Sequence, residues 1–92
     1  MNCPAGGDCQ VDCSNATCTT NCSGTRPCQV TCNSGSSCTL NCAQGNCQIT
    51  GNAATSVQHN CNQAAACNTT CTGVASCKQA PGTGTNFCTG CN

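Results

Sequence analysis

The stretch that decides the fold runs from residue 9 to residue 50 and reads CQVDCSNATCTTNCSGTRPCQVTCNSGSSCTLNCAQGNCQIT. A C-x-x-x-C segment opens every nine or ten residues within it. The beat continues less perfectly through CQITGNAATS, VQHNCNQAAA and CNTTCTGVAS to a degenerate CKQAPGTGTNF, which makes eight units in register over residues 9–87. A fixed short period marks a solenoid, whose units bury their apolar side only by stacking on one another. Helical repeats need roughly 33 residues or more per unit. The period therefore predicts an all-β fold, a tightly wound, disulfide-stapled β-solenoid with 9–10-residue coils. In this reading the chain is one domain, with residues 1–8 as N-terminal cap, 9–80 as coils and 81–92 as C-terminal cap, Phe87 plugging the lumen.

Composition sets the terms for what holds such a coil together. Only 4% of the residues are charged, the formal net charge is zero, and Phe87 is the one aromatic. A core of large side chains is thus out of reach, whereas 16 cysteines in 92 residues indicate a covalent scaffold. Two cations cannot make the basic surface that nucleic acid requires, and no apolar run has the length of a membrane span. Neither nucleic acid nor membrane is an expected partner. Disulfides require an oxidising compartment, so the expected location is secreted; no leader segment is visible and the chain reads as a mature, monomeric form.

The pairing follows from which cysteines are missing. Cys9, Cys18, Cys28, Cys38, Cys47, Cys67, Cys77 and Cys88 open units, and Cys3, Cys13, Cys22, Cys32, Cys42, Cys61 and Cys71 trail, with Cys91 near the end. Bonding within each C-x-x-x-C would strand Cys47 against Gly51 and Cys61 against Val57, and leave Cys3 and Cys77 over. Bonding each trailing cysteine to the next leading one strands nothing, because Gly51 and Val57 then face each other. The predicted bonds are Cys3–Cys9, Cys13–Cys18, Cys22–Cys28, Cys32–Cys38, Cys42–Cys47, Cys61–Cys67, Cys71–Cys77 and Cys88–Cys91. Each closes a short loop for which chain entropy gives about 2 kcal/mol.

Strand alternation sends the first, third and fifth positions of C-x-x-x-C inward and the second and fourth outward. The third column, Val11, Thr20, Val30, Leu40, Ile49, His59, Thr69 and Gln79, is therefore the predicted lumen. The outward positions form two columns, Thr19, Gln29, Thr39, Gln48, Gln58 and Asn68 beside Asn21, Thr31, Asn41, Thr50, Asn60 and Thr70, with Gln10, Asp12, Lys78 and Ala80 at the ends. With coils stacked at about 4.8 Å, this predicts one flat, uncharged array of amides, hydroxyls and methyls.

Short coils bisected by disulfides, C-x5-C spacing and outward polar residues flanking an inward one resemble the insect antifreeze proteins, the disulfide-bridged beetle and midge β-solenoids. Where the beetle face has T-C-T, this chain has QVT, TTN, TLN, QIT, QHN and NTT, and it has no counterpart of the midge tyrosine row. The resemblance implies a secreted monomer that adsorbs to ice, or to an ordered water layer on it, through Thr19, Asn21, Gln29, Thr31, Thr39, Asn41, Gln48, Thr50, Gln58, Asn60, Asn68 and Thr70. The alternative is a rigid secreted structural or interaction solenoid without ice activity, its amides and hydroxyls simply laddering along a sheet. A carbohydrate binder using the same amides is a third reading, disfavoured by the lack of aromatics.

Other chemistry finds little footing. Thiolates hold soft metals, but C-x-x-x-C repeats spread sulfur along a rod and C-x-x-C occurs once, at Cys88 to Cys91. No metal and no cofactor is expected. His59 has no acidic or nucleophilic partner in its unit, and the acidic side chains, Asp8 and Asp12, lie at the other end, so no catalytic set can be assembled and the chain is not expected to be an enzyme. Asn15, Asn21 and Asn68 head N-x-[ST] triplets, and glycans on the latter two would cover the predicted face.

Overall fold

The computed structural model describes residues 9–22, 27–64 and 66–91 in full and residues 2–3 as backbone. Ten strands follow one another: β1 (Asn2–Cys3), β2 (Cys9–Cys13), β3 (Thr17–Cys22), β4 (Cys28–Cys32), β5 (Ser37–Cys42), β6 (Asn46–Asn52), β7 (Ser56–Asn60), β8 (Ala66–Thr72), β9 (Ser76–Ala80) and β10 (Thr85–Thr89). They sort by parity into two parallel sheets, an odd sheet ordered β1-β3-β5-β7-β9 and an even sheet ordered β10-β8-β6-β4-β2. The all-β, disulfide-stapled solenoid is as the period predicts.

The lap is twice as long as predicted. Cys9 pairs with Cys28 and Val11 with Val30, 19 residues on, so the nine- or ten-residue unit is half a turn and the rod has about 4 turns. The reason is reach. A five-residue strand spans about 13 Å, and a spacer of four or five residues cannot round two corners and also return that distance. Given a second strand as the opposite wall, each spacer has only one corner to turn. Small spacer residues consequently sit at corners, with Ala54 and Ala64 buried there. The thinnest extent of the molecule, 12 Å, leaves room for two sheets and nothing else.

The predicted lumen column is inward throughout but is shared between walls. Val11, Val30, Ile49 and Thr69 align along the even sheet, and Thr20, Leu40, His59 and Gln79 along the odd one. Leu40, Ile49 and His59 are completely buried. At the C-terminal end the column is continued by Cys88, in register with Thr69. Phe87 is not a plug: it points outward and is 61% exposed. The segment read as a C-terminal cap thus supplies β10, and the N-terminal segment supplies β1, which pairs with β3.

Disulfides close both long edges of the flattened coil. Cys13–Cys18, Cys32–Cys38 and Cys71–Cys77 staple the corners leading from even to odd sheet, and Cys22–Cys28, Cys42–Cys47 and Cys61–Cys67 the corners leading back. Cys88–Cys91 joins β10 to the segment that follows it. Cα separations run from 5.8 to 6.5 Å, inside the span a disulfide bridges. Cys9 is also bonded, while the side chain of its predicted partner Cys3 lies outside the described residues.

Between β2 and β9 the one corner without sulfur is the predicted pair. A Cβ built on Gly51 would lie 2.8 Å from Val57 Cγ2 and 2.9 Å from Val74 Cγ2, so valine methyls fill the place of a disulfide. Gly51→Cys alone should destabilise the oxidised protein by overpacking. Joined with Val57→Cys it completes the row, and the denaturant midpoint under non-reducing conditions should rise by the equivalent of about 2 kcal/mol.

The same edge explains a strained alanine. Its successive corners place Asn15, Gly35, Ala53 and Gly73 at φ values of 51, 75, 57 and 65°, all left-handed. Asparagine and glycine suit that region, whereas for alanine it costs roughly 1–2 kcal/mol. Ala53→Gly should therefore raise stability by about 1 kcal/mol after glycine's larger unfolded-state entropy is deducted, as read by thermal unfolding.

Candidate functional site

Because each nine- or ten-residue unit is only half a lap, the predicted array is divided between opposite sides of the rod. On the even sheet the outward columns are Gln10, Gln29, Gln48, Asn68 and Phe87, and Asp12, Thr31, Thr50, Thr70 and Thr89. On the odd sheet they are Thr19, Thr39, Gln58 and Lys78, and Asn21, Asn41, Asn60 and Ala80. The predicted single face is thereby corrected: Gln29, Thr31, Gln48, Thr50, Asn68 and Thr70 stand together, and Thr19, Asn21, Thr39, Asn41, Gln58 and Asn60 stand on the other side. The division sorts the chemistry. Threonines alternate with asparagines along the chain but form an unbroken column in space.

The two faces spend their polar groups differently. On the odd sheet Asn41 Nδ2 donates to Asn21 Oδ1 at 2.8 Å, Asn60 Nδ2 to Asn41 Oδ1 at 2.6 Å, and Gln58 Nε2 to Asn60 Oδ1 at 2.8 Å. This face is a bonded amide ladder. On the even sheet Gln10 Nε2 donates to Gln29 Oε1 at 3.1 Å and Gln29 Nε2 to Gln48 Oε1 at 3.2 Å. Beside them the hydroxyls of Thr31, Thr50 and Thr70 engage no group of the described residues. They are half-buried at the base of the glutamine column, held by β-branching and strand register.

Two elements of these faces escape the pattern of outward positions between paired cysteines. Thr17, Ser37, Ser56 and Ser76 form a third odd-sheet column in register. They precede the leading position of each unit, a cysteine or, after Ser56, Val57, where strand alternation extended by two residues finds them. Thr89 extends the threonine column although it lies in the segment read as a cap.

His59 stands in the lumen as a partnered core residue. Its Nδ1 lies 2.9 Å from Thr69 Oγ1 and its Nε2 3.2 Å from Cys67 Sγ. Desolvation by burial pushes its pKa down to about 4, against a smaller opposing effect of a backbone hydrogen bond at Asn68. His59, Cys61 and Cys67 gather their ligand atoms within 4.8 Å of one another, but the two sulfurs are bonded to each other, so thiolates arise there only in a reduced chain. Of the glycosylation triplets, Asn15 lies on an exposed corner away from both faces, while Asn21 and Asn68 lie within strands on opposite faces. The row of disulfides fits an extracellular protein, and among the described residues no helix is long and apolar enough to cross a membrane.

No protein-family model matches this chain, and comparison with curated proteins and with solved structures finds no similar one.

Proposed function

We propose that the protein is a secreted ice-binding protein that adsorbs through the outer surface of the even sheet, with Thr31, Thr50 and Thr70 as its central column and Gln29, Gln48 and Asn68 beside them. The observation that carries this reading is the threonine column, hydroxyls one lap apart with no hydrogen-bond partner among the described residues, on a surface whose one described charge, Asp12, lies at its end. Ordering water against a lattice requires groups that are already fixed, because each mobile side chain would have to lose rotamer freedom on binding. Threonine on a disulfide-stapled strand meets that need, and its methyl limits competing hydration. The insect antifreeze solenoids supply the precedent for such a surface.

A second reading, a rigid extracellular structural module without ice activity, is favoured by the amide ladders, whose hydrogen bonds are made within the protein. Nanolitre osmometry on the oxidised protein separates the two. Faceted crystals and a gap between melting and freezing temperatures are expected, and unaltered crystal growth would leave the structural reading.

A further inference from the structure

The C-terminal end holds sulfur chemistry that neither face uses. Here the cysteine beat is out of step: Asn86 takes the register of Cys67, and Cys88 falls in the lumen column opposite Thr69. Cys88 is bonded to Cys91, and that short C-x-x-C segment returns the chain to the end of the lumen. Cys91 Sγ there lies 3.8 Å from Cys77 Sγ, and the sulfurs of Cys77, Cys88 and Cys91 are all within 4.8 Å of one another. Cys77 belongs to a different bond, Cys71–Cys77. Two disulfides thus abut, end to end.

Exposure separates them. Cys88 and Cys91 are both exposed, the only such pair among the described disulfides. Cys71 and Cys77 are 8% and 0% exposed. Thiol–disulfide exchange depends on access to the sulfur under attack and on proximity of the next one. The outer bond has the first property and the sulfur triad the second.

We propose that this end is a thiol–disulfide exchange site, taking a small dithiol as co-reactant and handing the exchange from Cys91 to Cys77. One thiolate of the dithiol attacks the Cys88–Cys91 bond to form a mixed disulfide, and its second thiol closes the dithiol's own disulfide. Two electrons pass to the protein, and Cys88 and Cys91 are left as thiols. The Cys91 thiolate then attacks Cys77 Sγ, forming Cys77–Cys91 and expelling Cys71 as a thiolate that takes a proton from water. This second step involves no net oxidation. Cys71 left as a thiol is a small apolar group in an apolar site, so the corner it occupied keeps its packing. The last lap thereby exchanges a staple across its corner for one that ties the chain end onto β9.

The test is disulfide mapping after limited reduction. The oxidised protein is treated with less than one equivalent of dithiothreitol, quenched by alkylation and digested. Label on Cys71 and Cys88 with a Cys77–Cys91 linked peptide is expected, the other bonds remaining intact. Label on Cys88 and Cys91 with Cys71–Cys77 intact would overturn the handover, and first label at any other cysteine would overturn the site. Cys88→Ala provides a second test without reductant, because it leaves Cys91 as the one thiol. Alkylation divided between Cys91 and Cys71 supports the exchange, and alkylation confined to Cys91 refutes it.

Discussion

Thr50→Lys is expected to abolish ice shaping while Thr39→Lys leaves it intact, although both side chains occupy outward positions in successive half-laps. Thr50 stands at the middle of the threonine column on the even sheet, and Thr39 on the opposite wall. An ammonium pressed against a solid surface must shed water at a cost of several kcal/mol, and ~1.4 kcal/mol already weakens an equilibrium about tenfold. Freezing hysteresis should therefore fall by about tenfold or more in the first variant. Both substitutions are on outer positions, so both proteins should keep wild-type disulfide maps and thermal midpoints. Equal loss in the two variants would mean that ice is not recognised by the even sheet alone.

The second large effect is a dependence of stability on pH set by His59. An unfolded histidine titrates near 6.5, whereas burial in the lumen holds this one at about 4. As pH falls through 6.5 the unfolded chain takes up a proton that the folded chain refuses. The stabilisation of the neutral form is complete above 6.5, declines between 6.5 and 4, and is gone below 4; the total loss is about 3 kcal/mol. The lumen neighbours Thr69, Gln79 and the disulfide sulfur of Cys67 do not titrate in this range. Denaturant midpoints of the oxidised protein at pH 7.5, 5 and 3.5 should trace that fall. His59→Gln, which retains a partner for Thr69, should flatten it; a slope that survives the substitution would assign the effect elsewhere.

What could be read in the chain depended on which residues differ between half-laps. The cysteine pairing was legible because Gly51 and Val57 are lost together, and the lumen column because Val11, Val30, Leu40 and Ile49 all stand at the third position of their units. The doubled lap was written there too. QVD, QVT and QIT alternate with TTN, TLN and QHN, so Val11, Val30 and Ile49 belong to one wall and Thr20, Leu40 and His59 to the other. Cysteine spacing alone hides this, since both walls need sulfur at the same two positions to close their corners. Which outward residues share a surface follows only from the parity of the strands, and so the twelve predicted residues divide six and six. At the C-terminal end the regular beat fails because Cys88 serves the lumen rather than a corner, and β10 has no leading cysteine to announce it.

Parity also limits how such a protein can be lengthened. Inserting one ten-residue unit would send every downstream strand to the wrong side, setting asparagine above threonine and breaking both columns at once. Duplication in steps of two units preserves each surface, so growth of the rod comes in quanta of a whole lap.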